Sequence, residues 1–173
     1  LAINGPPGLV IYHADIRTGS GNITLSSEGE VRGFADVTTT DGTALIESGF
    51  LPVYLEEGTV INSGNGNVRI ASRSSDIFLS RVVAGAGSVS IVAPGSGVID
   101  NNGDVNNVTS SVLRIEAGSF GGANSIETEV DTIAAVMSSL FGFSILERDD
   151  IIVDSTGDIS VQRVQFNGSA NTD

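Results

Sequence analysis

The chemically equipped side chains of this sequence are mostly oxygen donors. Asp100-Asn-Asn-Gly-Asp104 sets two carboxylates and two amides within five residues, the ligand type that a hard cation such as calcium takes. Asp100, Asn102 and Asp104 are the candidate ligands. An EF-hand loop starting at Asp100 would need Gly at its sixth position, where Val105 stands, and a closing Glu that is absent here. The Gly-Gly-x-Gly-x-Asp nonapeptide of calcium-binding β-rolls is also missing. An Asn-rich corner is the plainer reading. Asp149-Asp150 with Asp154 and Asp158 forms a second acidic group, and strand alternation puts Asp150 and Asp154 on one face. Calcium is the one cofactor these groups suggest; a solvated acidic face is the simpler account.

Paired carboxylates also serve glycoside hydrolysis, which needs a fixed gap between them in a sugar-binding cleft. Two Tyr, no Trp and no Lys argue against such a cleft. His13 has no partner that spacing identifies, and no Gly-x-Ser-x-Gly elbow supports a nucleophilic serine. With no Cys there is no disulfide framework, thiol nucleophile or Cys-based zinc site. No catalytic residue is assigned. Asn22-Ile-Thr24, Asn107-Val-Thr109 and Asn167-Gly-Ser169 fit the N-glycosylation sequon, as chance permits in a chain rich in Asn, Ser and Thr.

Charge narrows the partners. The chain of 173 residues carries 21 acidic and 8 basic side chains, all of the latter Arg, for a net charge of −13. Such a surface repels phosphate backbones and anionic bilayers, so neither nucleic acid nor membrane insertion is expected. No apolar run is long enough for a spanning helix. At 40% hydrophobic residues the chain is nonetheless too apolar for acidic disorder.

The elements that must position these groups read as short β-strands. Segments 9–12, 22–26, 44–47, 67–71, 76–80, 88–92, 112–116, 151–154 and 158–164 are rich in Val and Ile, and several alternate apolar with polar. Gly-Ser-Gly-Asn (19–22), Asp-Gly (41–42), Gly-Asn-Gly-Asn (64–67), Pro-Gly-Ser-Gly (94–97) and Ser-Thr-Gly-Asp (155–158) read as corners between them. One segment departs: in 128–143 the residues Val130, Ile133, Ala134, Met137, Leu140 and Phe141 fall at spacings of three and four, which suits a short helix near 129–141. A further rung of β-structure is the competing account.

Repetition decides the architecture. Stretches 11–25, 53–70 and 145–161 align as an apolar strand, an acidic step, a second strand, a Gly turn, and then Asn or Asp before alternating apolar residues. Strand centres at Leu25, Leu45, Ile70, Ile91, Ile115, Met137 and Val161 lie 20 to 25 residues apart. A right-handed parallel β-helix has coils of about this length, and one coil cannot bury its inward Val, Ile and Leu without its neighbours. The expected fold is therefore all-β: a single right-handed parallel β-helix (β-solenoid) over 1–173, of about seven coils. A β-sandwich is the alternative that strand count permits. With no capping helix visible and a polar Asn-Gly-Ser-Ala-Asn-Thr-Asp tail, the chain is expected to be part of a longer solenoid or to stack on copies of itself.

Leu-Arg-Ile-Glu-Ala-Gly (113–118), Gly-Gly-Ala-Asn-Ser-Ile-Glu-Thr-Glu-Val-Asp-Thr-Ile-Ala-Ala (121–135) and Leu-Glu-Arg-Asp-Asp-Ile-Ile-Val (146–153) carry a resemblance. Over 113–161 the chain resembles the filamentous-haemagglutinin-like repeat regions of very large secreted bacterial proteins, with Ser125 where that group usually has Pro. The resemblance implies a secreted or cell-surface β-helical stalk or fibre, acting in adhesion or extracellular structure. Its partners would be adjacent repeats, copies of itself, and host or cell-surface glycans. A carbohydrate-active β-helix enzyme or tailspike-like depolymerase is the alternative from another class.

Overall fold

A computed structural model describes residues 1–5, 8–121, 124–137, 143–147, 152–155 and 161–166, with side chains described as far as Met137 and at Ile145. Every strand pairing in it is parallel. The chain winds as a β-solenoid of about six turns, and each turn contributes to three ladders that run the length of the column. Parallel pairing throughout rules out the sandwich, whose neighbouring strands would be antiparallel.

The first ladder starts at Ala2–Asn4 and continues through Ile23–Ser27, Ala44–Ser48 and Val68–Ser72. The second starts at Leu9–Tyr12 and passes through Glu30–Gly33, Val53–Leu55 and Ile77–Leu79. The third takes Ile16–Arg17, Val37–Thr38 and Val60–Asn62. From Arg81 onward the corners soften, so that Arg81–Asp100 and Val108–Phe120 each run through all three ladders as one bent strand. Register shifts between Val83 and Gly85, Gly85 and Ser88, and Ala93 and Gly97 mark where the strand turns.

Columns of inward side chains fill the interior. Leu25, Ile46, Ile70, Ile91 and Ile115 stack in register on the first ladder, all fully buried. Ile23, Ala44, Val68, Val89 and Leu113 form its second column. Val10, Val31, Val53, Ile77, Val98 and Phe120 line the second ladder; Ile16, Val37, Ile61, Val82 and Val108 line the third. β-Branched residues suit this repeat, because a restricted χ1 costs little on a pleated face and like shapes nest on one another.

The corner between the third and first ladders depends on glycine. Gly21, Gly42, Gly66 and Gly87 stack one per turn, and a Cβ on any of the last three would fall on the carbonyl oxygen of the glycine one turn earlier. Side-chain oxygens then tie turn to turn. Asn22 Oδ1 accepts from the Thr43 N–H and Asn67 Oδ1 from the Ser88 N–H, both at 2.9 Å. Asp36 Oδ1 accepts from Val60 at 2.9 Å, and Asp76 Oδ1 from Gly97 at 2.7 Å. These are the backbone donors that the bend takes out of the ladder.

Three expectations need correction. No helix occurs among the described residues: Ile126–Met137 is a strand that pairs with Val108–Phe120 on one side and Ile152–Ser155 on the other. Residues 138–142 lie outside the described residues. The spacing of three between buried Val130 and Ile133 arises because a corner falls between two inward positions. The first-ladder column passes through Ile46 and Ala135, not Leu45 and Met137, and Val161 belongs to another ladder, where it pairs with Phe143. The third aligned stretch is also out of phase: Ile145 pairs with Ile126 in the third ladder, whereas Ile11 starts from the second.

Candidate functional site

The Asp100 corner ends one long strand and leads to the next at Val108. Its oxygens are turned to protein amides. Asp100 Oδ1 accepts from the Asn102 N–H at 3.0 Å, an Asx turn. Fully buried Asn107 places its Nδ2 2.8 Å from Asp100 Oδ1 and 2.9 Å from Asn102 Oδ1, with the Leu79 and Ser80 carbonyls at 3.1 and 3.2 Å. The Asn107 side-chain Oδ1 accepts from the Glu127 N–H at 2.9 Å, and the Asn124 amide donates to Asp100 Oδ2. Asn101 reaches inward to the Leu55 carbonyl at 2.7 Å. The corner thus joins the second and third ladders by amide contacts. Asp100 and Asn102 meet there, while Asp104 is exposed on the same turn.

Asp150 lies outside the described residues, and of Asp154 the structure gives the backbone, in register with Ala134. No group of three or more His, Asp or Glu poised to hold a metal is found among the described residues. Of the sequons, Asn22 is exposed, Asn107 is buried with its amide committed as above, and Asn167 lies outside the described residues.

Register gathers aromatic groups that look scattered in sequence. Ile11, Arg32, Tyr54, Phe78 and Ile99 form one outward column on the second ladder. The Arg32 guanidinium sits over the Tyr54 ring at 4.4 Å, and Tyr54 stacks on Phe78 with centroids 4.5 Å apart at 28°. Beside them His13 stacks on Phe34 at 4.4 Å and 17°. Arg32 is held by Glu56 Oε1 through Nε at 2.9 Å and Nη2 at 2.6 Å. Tyr54 has a stacking partner on both faces, and Phe34 already carries His13. The rings reinforce the column along its axis rather than offering an open platform. The sequence carries the signal for this column: Arg32, Tyr54 and Phe78 are each the middle residue of an apolar-x-apolar or apolar-x-Gly triplet. Reading it needs the register first.

Elsewhere the outer faces carry half-exposed ion pairs. Arg73 lies between Glu28 at 3.6 Å and Glu47 at 3.8 Å, and Arg114 contacts Glu116 at 3.0 Å. Pairs this exposed contribute little to stability. Comparison of the chain with protein-family models, with curated proteins and with solved structures returned no match.

Proposed function

We propose that the chain is a structural and adhesive segment of an extracellular bacterial fibre, in which solenoid turns continue end to end. The observation that carries this reading is the stacking of like turns, with three parallel ladders and their inward columns passing from one turn to the next among the described residues. In a parallel ladder alternate residues direct both backbone groups to opposite neighbours, so each turn bonds to the turns on either side of it. Ile3, in register with Leu25, is 36% exposed, whereas Leu25 and Ile46 below it are fully buried. A further turn of the same architecture adds to each ladder and to each core column at once. The resemblance of 113–161 to secreted fibre repeats supports the same reading.

Electron microscopy of the purified chain tests it: rods or filaments are expected, and uniformly separate particles at high concentration would count against it. Screening against neutral and acidic polysaccharides tests the enzyme alternative. No turnover is expected; turnover abolished by one Asp or Glu substitution would favour the depolymerase reading.

A further inference from the structure

We infer that the outer face of the first ladder holds a subsite for a carboxylate-bearing sugar, centred on Arg69. Three successive turns line a shallow groove of about 350 Å³ there, with Thr43 and Leu45 on one turn, Asn67 and Arg69 on the next, and Ser88 and Ser90 on the third. In a chain of net charge −13 this groove has no carboxylate in its lining. Arg69 is exposed and forms no salt bridge among the described residues; its Nη1 lies 3.3 Å from Ser90 Oγ, which leaves most of the guanidinium fork free. The other exposed arginines of this face and its flank, Arg73 and Arg114, are committed to glutamates.

The chemistry of the lining selects the ligand class. A planar guanidinium matches a carboxylate in a bidentate pair, a geometry that a point charge cannot supply. Asn67 turns its carbonyl oxygen to the Ser88 N–H, which frees its amide to donate outward. The hydroxyls of Thr43, Ser88 and Ser90 are small donors and acceptors suited to sugar hydroxyls, and half-buried Leu45 offers a surface for the C–H face of a pyranose. An acidic peptide would satisfy Arg69 alone and leave the hydroxyl rim without a counterpart, so a uronate-type glycan is the better fit. This gives the adhesive part of the proposed function a ligand class. It is independent of end-to-end assembly, which the micrographs judge without sugar.

The test is titration of the full chain with tri-galacturonate, maltotriose and poly-glutamate at low salt, followed by amide NMR shifts. The expected result is saturable binding of tri-galacturonate with shifts centred on 43–45, 67–69 and 88–90, and none with maltotriose. Arg69→Gln is expected to weaken that binding about tenfold or more, the loss of one charge-assisted pair, while Arg81→Gln leaves it unchanged. Far-UV circular dichroism of both variants confirms the fold, since both side chains are exposed. Absence of saturable binding, or binding indifferent to Arg69→Gln, overturns the subsite. Equal binding of poly-glutamate overturns the sugar class.

Discussion

At the scale of single residues, the pair Tyr12 and Gly33 shows how tightly one turn constrains the next. The two are in register, and Tyr12 fills the space a side chain at 33 would take: a Cβ on Gly33 would fall on the phenol. Gly33→Ala is therefore expected to cost about 1–3 kcal/mol, as overpacking does, read as a lower urea midpoint. The Tyr12 hydroxyl is buried without a hydrogen-bond partner among the described residues. Burial, and secondarily the charge of Asp36, pushes its ionisation well above the ordinary tyrosine range. The unfolded chain can ionise this phenol above a pH of roughly 10, while the folded chain keeps it neutral. Stability is thus unaffected by this group below that pH and falls as pH rises beyond it. Tyr12→Phe should match or exceed the parent at pH 8 and lose less stability at pH 11; identical pH slopes for the two proteins would refute the assignment. Asp15 acts at the other end of the scale. A hydrogen bond from Arg17, with a second from the Asp36 N–H, holds its carboxyl below the usual value, so its contribution is present at neutral pH and lost on acidification.

At the scale of the element, one residue of register separates core from solvent. Leu45 and Ile46 are both large and aliphatic, but Ile46 is fully buried and Leu45 lies half-buried on the outer face. Ile46→Asp should abolish cooperative unfolding, whereas Leu45→Asp should lower the unfolding free energy by less than about 1 kcal/mol; equal damage from both would disprove the register. Composition and Gly-Asn corners are enough to read the strand class and the approximate turn length, because inward Val and Ile recur wherever the column must be filled. The identity of each inward residue is harder to read, since a corner of variable length inserts odd spacings between inward positions. Val130 and Ile133 imitate a helix for that reason. The third ladder is least legible, for strands such as Ile16–Arg17 and Val37–Thr38 are two residues long and carry no periodicity. The candidate site is less legible still. Thr43, Asn67 and Ser88 converge only through register, and nothing local marks Arg69 as an arginine without an acidic partner among the described residues.

At the scale of the whole molecule, shape and charge oppose one another. Ladders that extend by like turns favour stacking, while a net charge of −13 per chain drives copies apart. Added salt shortens the reach of that repulsion to about 10 Å at 0.1 M. Light scattering is therefore expected to rise with sodium chloride and to rise further with divalent cations; constant monomer scattering across the series would exclude end-to-end assembly. The direction of the ladder bonds has a mechanical consequence as well. Hydrogen bonds between turns point along the axis, so a force applied end to end loads one turn's bonds at a time rather than many in shear. A tethered chain should peel turn by turn under an optical trap. Each event should release the contour of one turn, roughly 70 Å for a loop of about 21 extended residues, and the force should stay nearly level from one event to the next. A single abrupt rupture spanning several turns would mean that the corners, and not the ladders, bear the load.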